Sequence, residues 1–193
     1  MSTNDGFQRA LDHIRNEAET LITSQAVARR YDENVNIRRA EPTDLKTIID
    51  FNQRLAIESE GVQLDAERLR TGVTAQLNDS SRGFYLIAEA DGRVVGQLAL
   101  TFEWSDWRNA TFWWLQNVYV APEYRRRGVL TALYARVREL AAEQGVCGVR
   151  LYVEHENHAA QAAYRELGLS PAVYSMYETD FVIERGYDSN PAR

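Results

Sequence analysis

Cysteine is nearly absent from this chain: Cys147 stands alone among 193 residues. A lone thiol forms no intramolecular disulfide, so the fold is held by its core and not by cross-links. Its setting, GVCGVRLYV, is apolar and strand-like, which predicts a buried, inert side chain. Long apolar runs are missing too. No stretch approaches the roughly 18 residues of a membrane span. The first residues, MSTNDGFQRALDH, offer neither a basic n-region nor an apolar h-region, so the expectation is a cytoplasmic protein with no membrane partner. Positive charge is in deficit: 22 Lys and Arg against 28 Asp and Glu leave a formal charge of −6. That balance argues against a general nucleic-acid partner. Histidine numbers three, and His155 and His158 in EHENH lack the i, i+4 spacing that puts two imidazoles on one helix face, so no metal site is expected.

What is present is ordinary globular composition, 45% hydrophobic and 26% charged, at a length that suits one domain with a sizeable core. Residues 1–33 stand apart. Phe7, Leu11, Ile14, Ala18 and Leu21 recur at helical spacing and predict an amphipathic helix. Such a helix packs on its own domain or joins two copies in a homodimer, and the pattern leaves both open. Residues 34–182 carry the main domain, and 183–193 form a polar tail.

Within that domain VNIRRA reads as a first strand. A helix follows Pro42, with Leu45, Ile48, Ile49 and Phe51 on it, and a second helix is expected over residues 63–79. Asp91-Gly92 marks a tight hairpin between two strands, and TFWWLQNVYV is a further strand after the polar SDWRN turn. A helix from about Val129 to Gln144 carries an apolar stripe of Leu130, Leu133, Val137, Leu140 and Ala141, and Gly145 closes it. VCGVRLYVE predicts a buried strand, NHAAQAAYRELG a helix ending at Gly168, and AVYSMYETDF a last strand. The order β-α-α-β-β-β-α-β-α-β mixes antiparallel hairpins with one βαβ crossover. The fold class is α+β, or mixed α/β.

The stretch YRRRGVLTALY puts three arginines and a glycine between a strand and a helix. A helix N-terminus presents unpaired N–H groups and the positive end of the helix dipole, which together hold phosphate. Gly128 allows close backbone approach there. Alone, this turn is equally a solvated charge cluster, and it is neither a Walker A loop nor a G-x-G-x-x-G fingerprint.

With the second block in view, the chain resembles the GCN5-related N-acetyltransferase (GNAT) family. Arg125-Arg126-Arg127-Gly128-Val129-Leu130 is similar to that family's pyrophosphate loop, with Leu130 in place of its small last residue. Asn157, Ala160, Tyr164 and Gly168 have the spacing of its N-x-x-A-x-x-x-Y-x-x-x-G helix. The resemblance implies a central, mostly antiparallel sheet flanked by helices, and acetyl-CoA as co-substrate. It implies an opening between the fourth and fifth strands, where Val118, Tyr119 and Val120 meet the pantetheine and the Val118 N–H meets the acetyl carbonyl. It implies coenzyme contacts from Arg125, Arg126, Arg127, Gly128, Val129, Leu130, Thr131 and Asn157, and Tyr164 beside the sulfur as general acid.

The activity so implied is acetyl transfer to a primary amine, small molecule or peptide, by direct attack. The other reading is a non-catalytic acyl-CoA-binding regulatory module on the same fold. The base is less plain. The family often has a carboxylate four residues before the position of Val118, and here that residue is Trp114. Glu103, Asp106, Glu154 or water are the candidates, with Glu103 named first, and solvated hairpin charge is the alternative for each. All four tryptophans fall within residues 104–114, and strand alternation sends Trp113 and Trp114 to opposite faces.

Overall fold

The computed structural model describes residues 35–182. The expected N-terminal helix and polar tail lie outside the described residues. The described chain divides into two compact units, the first ending at Asn157 and the second beginning at His158.

The first unit is built on five strands in the order β1-β2-β3-β4-β5. β1 (Asn36–Arg39), β2 (Phe84–Ala90), β3 (Arg93–Ser105) and β4 (Ala110–Val120) pair antiparallel, and β5 (Gly148–Arg150) joins β4 in parallel. The β2–β3 turn is Asp91-Gly92, with φ of 53° and 69°. Positive φ at both central residues is the hairpin geometry whose twist matches that of the strands.

Two helices separate β1 from β2. α1 (Leu45–Glu60) follows a 3₁₀ turn over Pro42–Asp44 and ends at Gly61, whose φ of 66° supplies the left-handed cap. α2 (Ala66–Asn78) is capped by Asp65, whose carboxylate accepts the Arg68 N–H at 2.7 Å. α3 (Val129–Glu143) connects β4 to β5.

The sheet is covered on both faces. On one, Leu98, Leu100, Trp113 and Leu115 pack with Val129, Leu133, Val137 and Leu140 of α3. The α3 stripe thus starts at Val129 and not at Leu130. On the other, Tyr85 and Ala99 pack with Ile48 of α1 and Val73 of α2. β2 lies between them and is buried along all its length except at Glu89, which is why its sequence runs apolar without alternation.

Two expectations around β5 need correction. The strand expected across VCGVRLYVE is only three residues long and half buried, because β4 pairs with it at Phe112–Trp114 alone. Cys147 precedes it and is likewise only half buried.

The second unit holds α4 (His158–Glu166). Its end is closed by the Leu169 N–H donating to Tyr164 O at 3.0 Å, with Gly168 at φ 88°, as the sequence predicts. The last expected strand is not formed. Residues 171–182 carry neither helix nor strand, and Val173, Tyr177 and Phe181 are each more than nine-tenths exposed. Alternation promises a strand only where a neighbouring strand completes its hydrogen bonds. Among the described residues no helix is long and apolar enough to cross a membrane.

Candidate active site

The site begins where β4 and β5 part. Their pairing stops at Trp114 and Arg150, while β4 runs on to Val120. Beyond Trp114, that edge of β4 has no strand partner among the described residues. Midway along this free stretch the strand is irregular. Gln97 faces Tyr119 and Ala99 faces Gln116, so Leu98 stands opposite both Asn117 and Val118. Asn117 has φ of 51°. This is a β-bulge with its first residue left-handed.

The bulge resets the alternation of the strand. Leu115 packs in the core beneath α3, and so do Val118 and Val120, three and five positions on. Tyr119 is thrown to the opposite face, where its ring meets Phe51 of α1 at 4.9 Å.

β4 then feeds the arginine turn. Ala121 N–H donates to Val95 O at 2.9 Å and fixes the strand's exit. A 3₁₀ turn over Pro122–Tyr124 follows, then Arg126 at φ 63° and Gly128 at φ 84°. Gly128 is the residue in front of α3, and the first ladder bond runs from Ala132 N–H to Gly128 O at 2.9 Å. The amides ahead of that bond converge at the helix N-terminus, where the dipole is positive. A second glycine seats this helix. A Cβ at Gly96 would stand 3.0 Å from Val129 Cγ1 and 3.2 Å from Tyr119 O, so its absence lets α3 start close against the sheet.

The three arginines do different things. Arg125 turns back: its Nε donates to Val120 O at 2.8 Å and its NH2 to Glu58 Oε2 at 2.5 Å. The other Glu58 oxygen accepts the Tyr119 hydroxyl at 2.9 Å. Burial would push Glu58 upward, but the hydrogen bonds from Arg125 and Tyr119 outweigh it and hold the carboxyl below its ordinary range. Burial, then the bond to Glu58, raises the Tyr119 phenol. Arg125 is thereby a clamp between the loop and α1. Arg127 lies over the Tyr124 ring at 5.5 Å, and Arg126 and Arg127 are exposed beside the helix N-terminus.

On the Tyr119 face, near where β4 and β5 part, Glu103 organises a cluster. Its Oε2 accepts Trp114 Nε1 at 2.5 Å and its Oε1 accepts Arg150 NH1 at 2.7 Å. Arg150 lies 3.7 Å over the Phe112 ring, and Tyr152 approaches Trp114 at 6.3 Å. Trp113 points the other way, into the core, edge-on to Phe84 at 5.5 Å. Of the remaining candidates, Asp106 sits in the exposed β3–β4 turn and accepts the Trp107 N–H at 2.8 Å. Glu154 accepts the Asn157 N–H at 3.1 Å through its backbone carbonyl. Tyr164 belongs to the second unit, on α4, where burial raises its phenol.

Sequence reading missed Glu58, Arg150, and the polar residues around the bulge. Asn117 inside an apolar strand was the available signal.

Five strands parting beside a glycine-capped helix, with helices on both faces, define a mixed α/β domain of the acetyltransferase type. The comparisons with known proteins agree. Residues 49–169 match the model of the acetyltransferase (GNAT) family. Thialysine N-epsilon-acetyltransferase of Bos taurus is 31% identical over 69% of this chain and 83% of its own length. The putative [ribosomal protein bS18]-alanine N-acetyltransferase of Bacillus subtilis is 27% identical over 54% of this chain and 66% of its own. The crystal structure of a possible acetyltransferase from Clostridium difficile superposes with a TM-score of 0.72 at 42% identity, covering 78% of this chain and all of that one. The chain belongs to the GNAT family of acetyltransferases.

Proposed function

We propose that the chain transfers the acetyl group of acetyl-CoA to a primary amine by direct attack within a ternary complex. The observation that carries this is the unpaired edge of β4 running into the N-terminus of α3. An extended pantetheine can pair with the strand through Val118, Tyr119 and Val120, while its pyrophosphate meets the amides of Gly128, Val129, Leu130 and Thr131. Arg126 and Arg127 add charge at the rim. Arg125 acts one step back, holding the loop to Glu58, and Asn157 takes the further coenzyme contact that the family motif implies.

In this reading the Val118 N–H donates to the acetyl carbonyl, and the bond strengthens as the oxygen gains charge. Attack by the neutral amine forms the C–N bond. Collapse of the adduct breaks the C–S bond, and the thiolate takes a proton from Tyr164. A phenol raised by burial remains protonated at neutral pH, as a general acid must. Glu103 already holds a donor on each oxygen, so it orients Trp114 and Arg150 and leaves the ammonium proton to water. The amines in the relatives' names, a thialysine ε-nitrogen and a ribosomal-protein alanine nitrogen, support an amine acceptor without choosing between small molecule and peptide.

The test is a thiol-release screen with acetyl-CoA against free amino acids, diamines, lysine peptides and peptide N-termini. Turnover with one of these classes is expected. Tight acetyl-CoA binding with no thiol release from any of them would favour a regulatory module instead.

A further inference from the structure

The bulge at Asn117 has a support of its own. Three side chains from three elements converge behind it. Asn117 Nδ2 donates to Tyr85 Oη at 2.9 Å, and Asn52 Nδ2 of α1 donates to the same oxygen at 3.2 Å. Gln97 Nε2 donates to Asn52 Oδ1 at 2.6 Å and to the Asn117 backbone carbonyl at 3.4 Å. Tyr85, Asn52 and Gln97 are each at most 4% exposed. Buried polar groups are costly unless paired. The same face is filled elsewhere by Ile48, Val73 and Ala99, so apolar packing there is readily available. Polar groups sit instead where they reach the side chain and the carbonyl of the one left-handed residue inside β4.

The consequence lies on the other side of the strand. Asparagine tolerates a φ near 50° better than most residues other than glycine, yet the region is sparsely populated even for it. If Asn117 relaxed to a regular strand, alternation from Leu115 would send Asn117 and Tyr119 into the α3 core, and Val118 and Val120 out of it. The Val118 peptide would turn with them. We propose that Tyr85, Asn52 and Gln97 are positioning residues that aim the Val118 N–H at the acetyl carbonyl. This rests on the acyl-transfer reading above. None of the three is asked to touch substrate.

The experiment uses the full chain and acetyl-CoA carrying ¹³C at the thioester carbonyl. Infrared difference spectra report the hydrogen bond to that carbonyl as a lowered stretching frequency. The variants are Tyr85→Phe, which removes one hydroxyl and keeps the ring, and Asn117→Ala, which keeps the penalty on a left-handed φ but has no amide to anchor. If either fails to fold, the other carries the test. The expected result is loss of at least half of the wild-type frequency shift, with affinity for free coenzyme A within about twofold of wild type. With an accepting amine, kcat falls about tenfold while KM for acetyl-CoA holds. That is less than the roughly 10²–10³ seen when an oxyanion donor is removed outright, because here the donor is only misaimed.

Full retention of the shift in a folded variant would overturn the inference. So would equal loss of affinity for coenzyme A and acetyl-CoA, which is what mere loosening of the fold produces. A wild type that binds neither ligand would overturn the acetyl-transfer reading itself and this inference with it.

Discussion

Gly128 stands in front of α3 at φ 84°, and a side chain there meets two penalties. The left-handed conformation costs an L-residue about 1–2 kcal/mol, and glutamate adds a carboxylate where the amides converge. Gly128→Glu is expected to weaken acetyl-CoA binding by more than about 30-fold by calorimetry, since each ~1.4 kcal/mol is tenfold. Unchanged affinity in a folded variant would place the pyrophosphate elsewhere. Tyr164→Phe removes one hydroxyl. If Tyr164 protonates the thiolate, steady-state kinetics should show kcat reduced by about 10²-fold, the low end for general acids, with coenzyme affinity unaltered. A full-speed variant would remove the role. At this scale the local motif was legible: RRRG followed by an apolar helix marks the loop. The separate duties of its arginines were not, because the partner of Arg125 is Glu58, 67 positions away. Nothing local in RRRG distinguishes a clamp from a phosphate contact.

The first strand, the 3₁₀ turn into the first helix and the second strand are tied by one charged group of residues. Arg38 donates to Asp44 at 2.8 and 2.9 Å and to Glu89 at 2.7 Å, while Asp44 also accepts the Glu41 N–H at 2.7 Å. The Arg38 hydrogen bond leads in holding the Asp44 carboxyl below its ordinary value, burial opposes it, and the Glu41 amide helps. A carboxyl depressed on folding stabilises the fold above its unfolded pKa, near 3.9, and loses that contribution as pH falls through the folded value. Asp44→Asn should therefore cost about 1–3 kcal/mol, as charged hydrogen bonds do. Urea titrations should find the gap between wild type and variant constant above about pH 5 and shrinking below about pH 4. A gap that stays constant to pH 2 would show that the ion pair contributes nothing. Elements whose signals are local came through in the sequence: the Asp91-Gly92 hairpin and the Gly168 stop. The length of β5 and the strand expected over AVYSMYETDF did not. Whether apolar alternation becomes a strand depends on a partner's edge, which no local pattern encodes.

The fold of the first unit was legible as an order of elements, since one βαβ step among hairpins leaves few arrangements of the sheet. The hydrogen bonds behind the bulge were not, because Tyr85, Asn52 and Gln97 reach it from three places in the chain. One further consequence follows from how the tryptophans are sorted. Trp113 is 2% exposed and edge-on to Phe84, whereas Trp104 and Trp107, a few residues before it, are 62% and 90% exposed. Acrylamide quenching of the native emission should then curve downward, with a short-wavelength component out of reach, and become linear in denaturant. A native plot already linear would mean that Trp113 is not enclosed. With the curvature present, the blue component reports the closed sheet–α3 core while the red one stays in contact with solvent throughout. Unfolding can then be followed as a ratio of two intensities, independent of protein concentration and of any added dye.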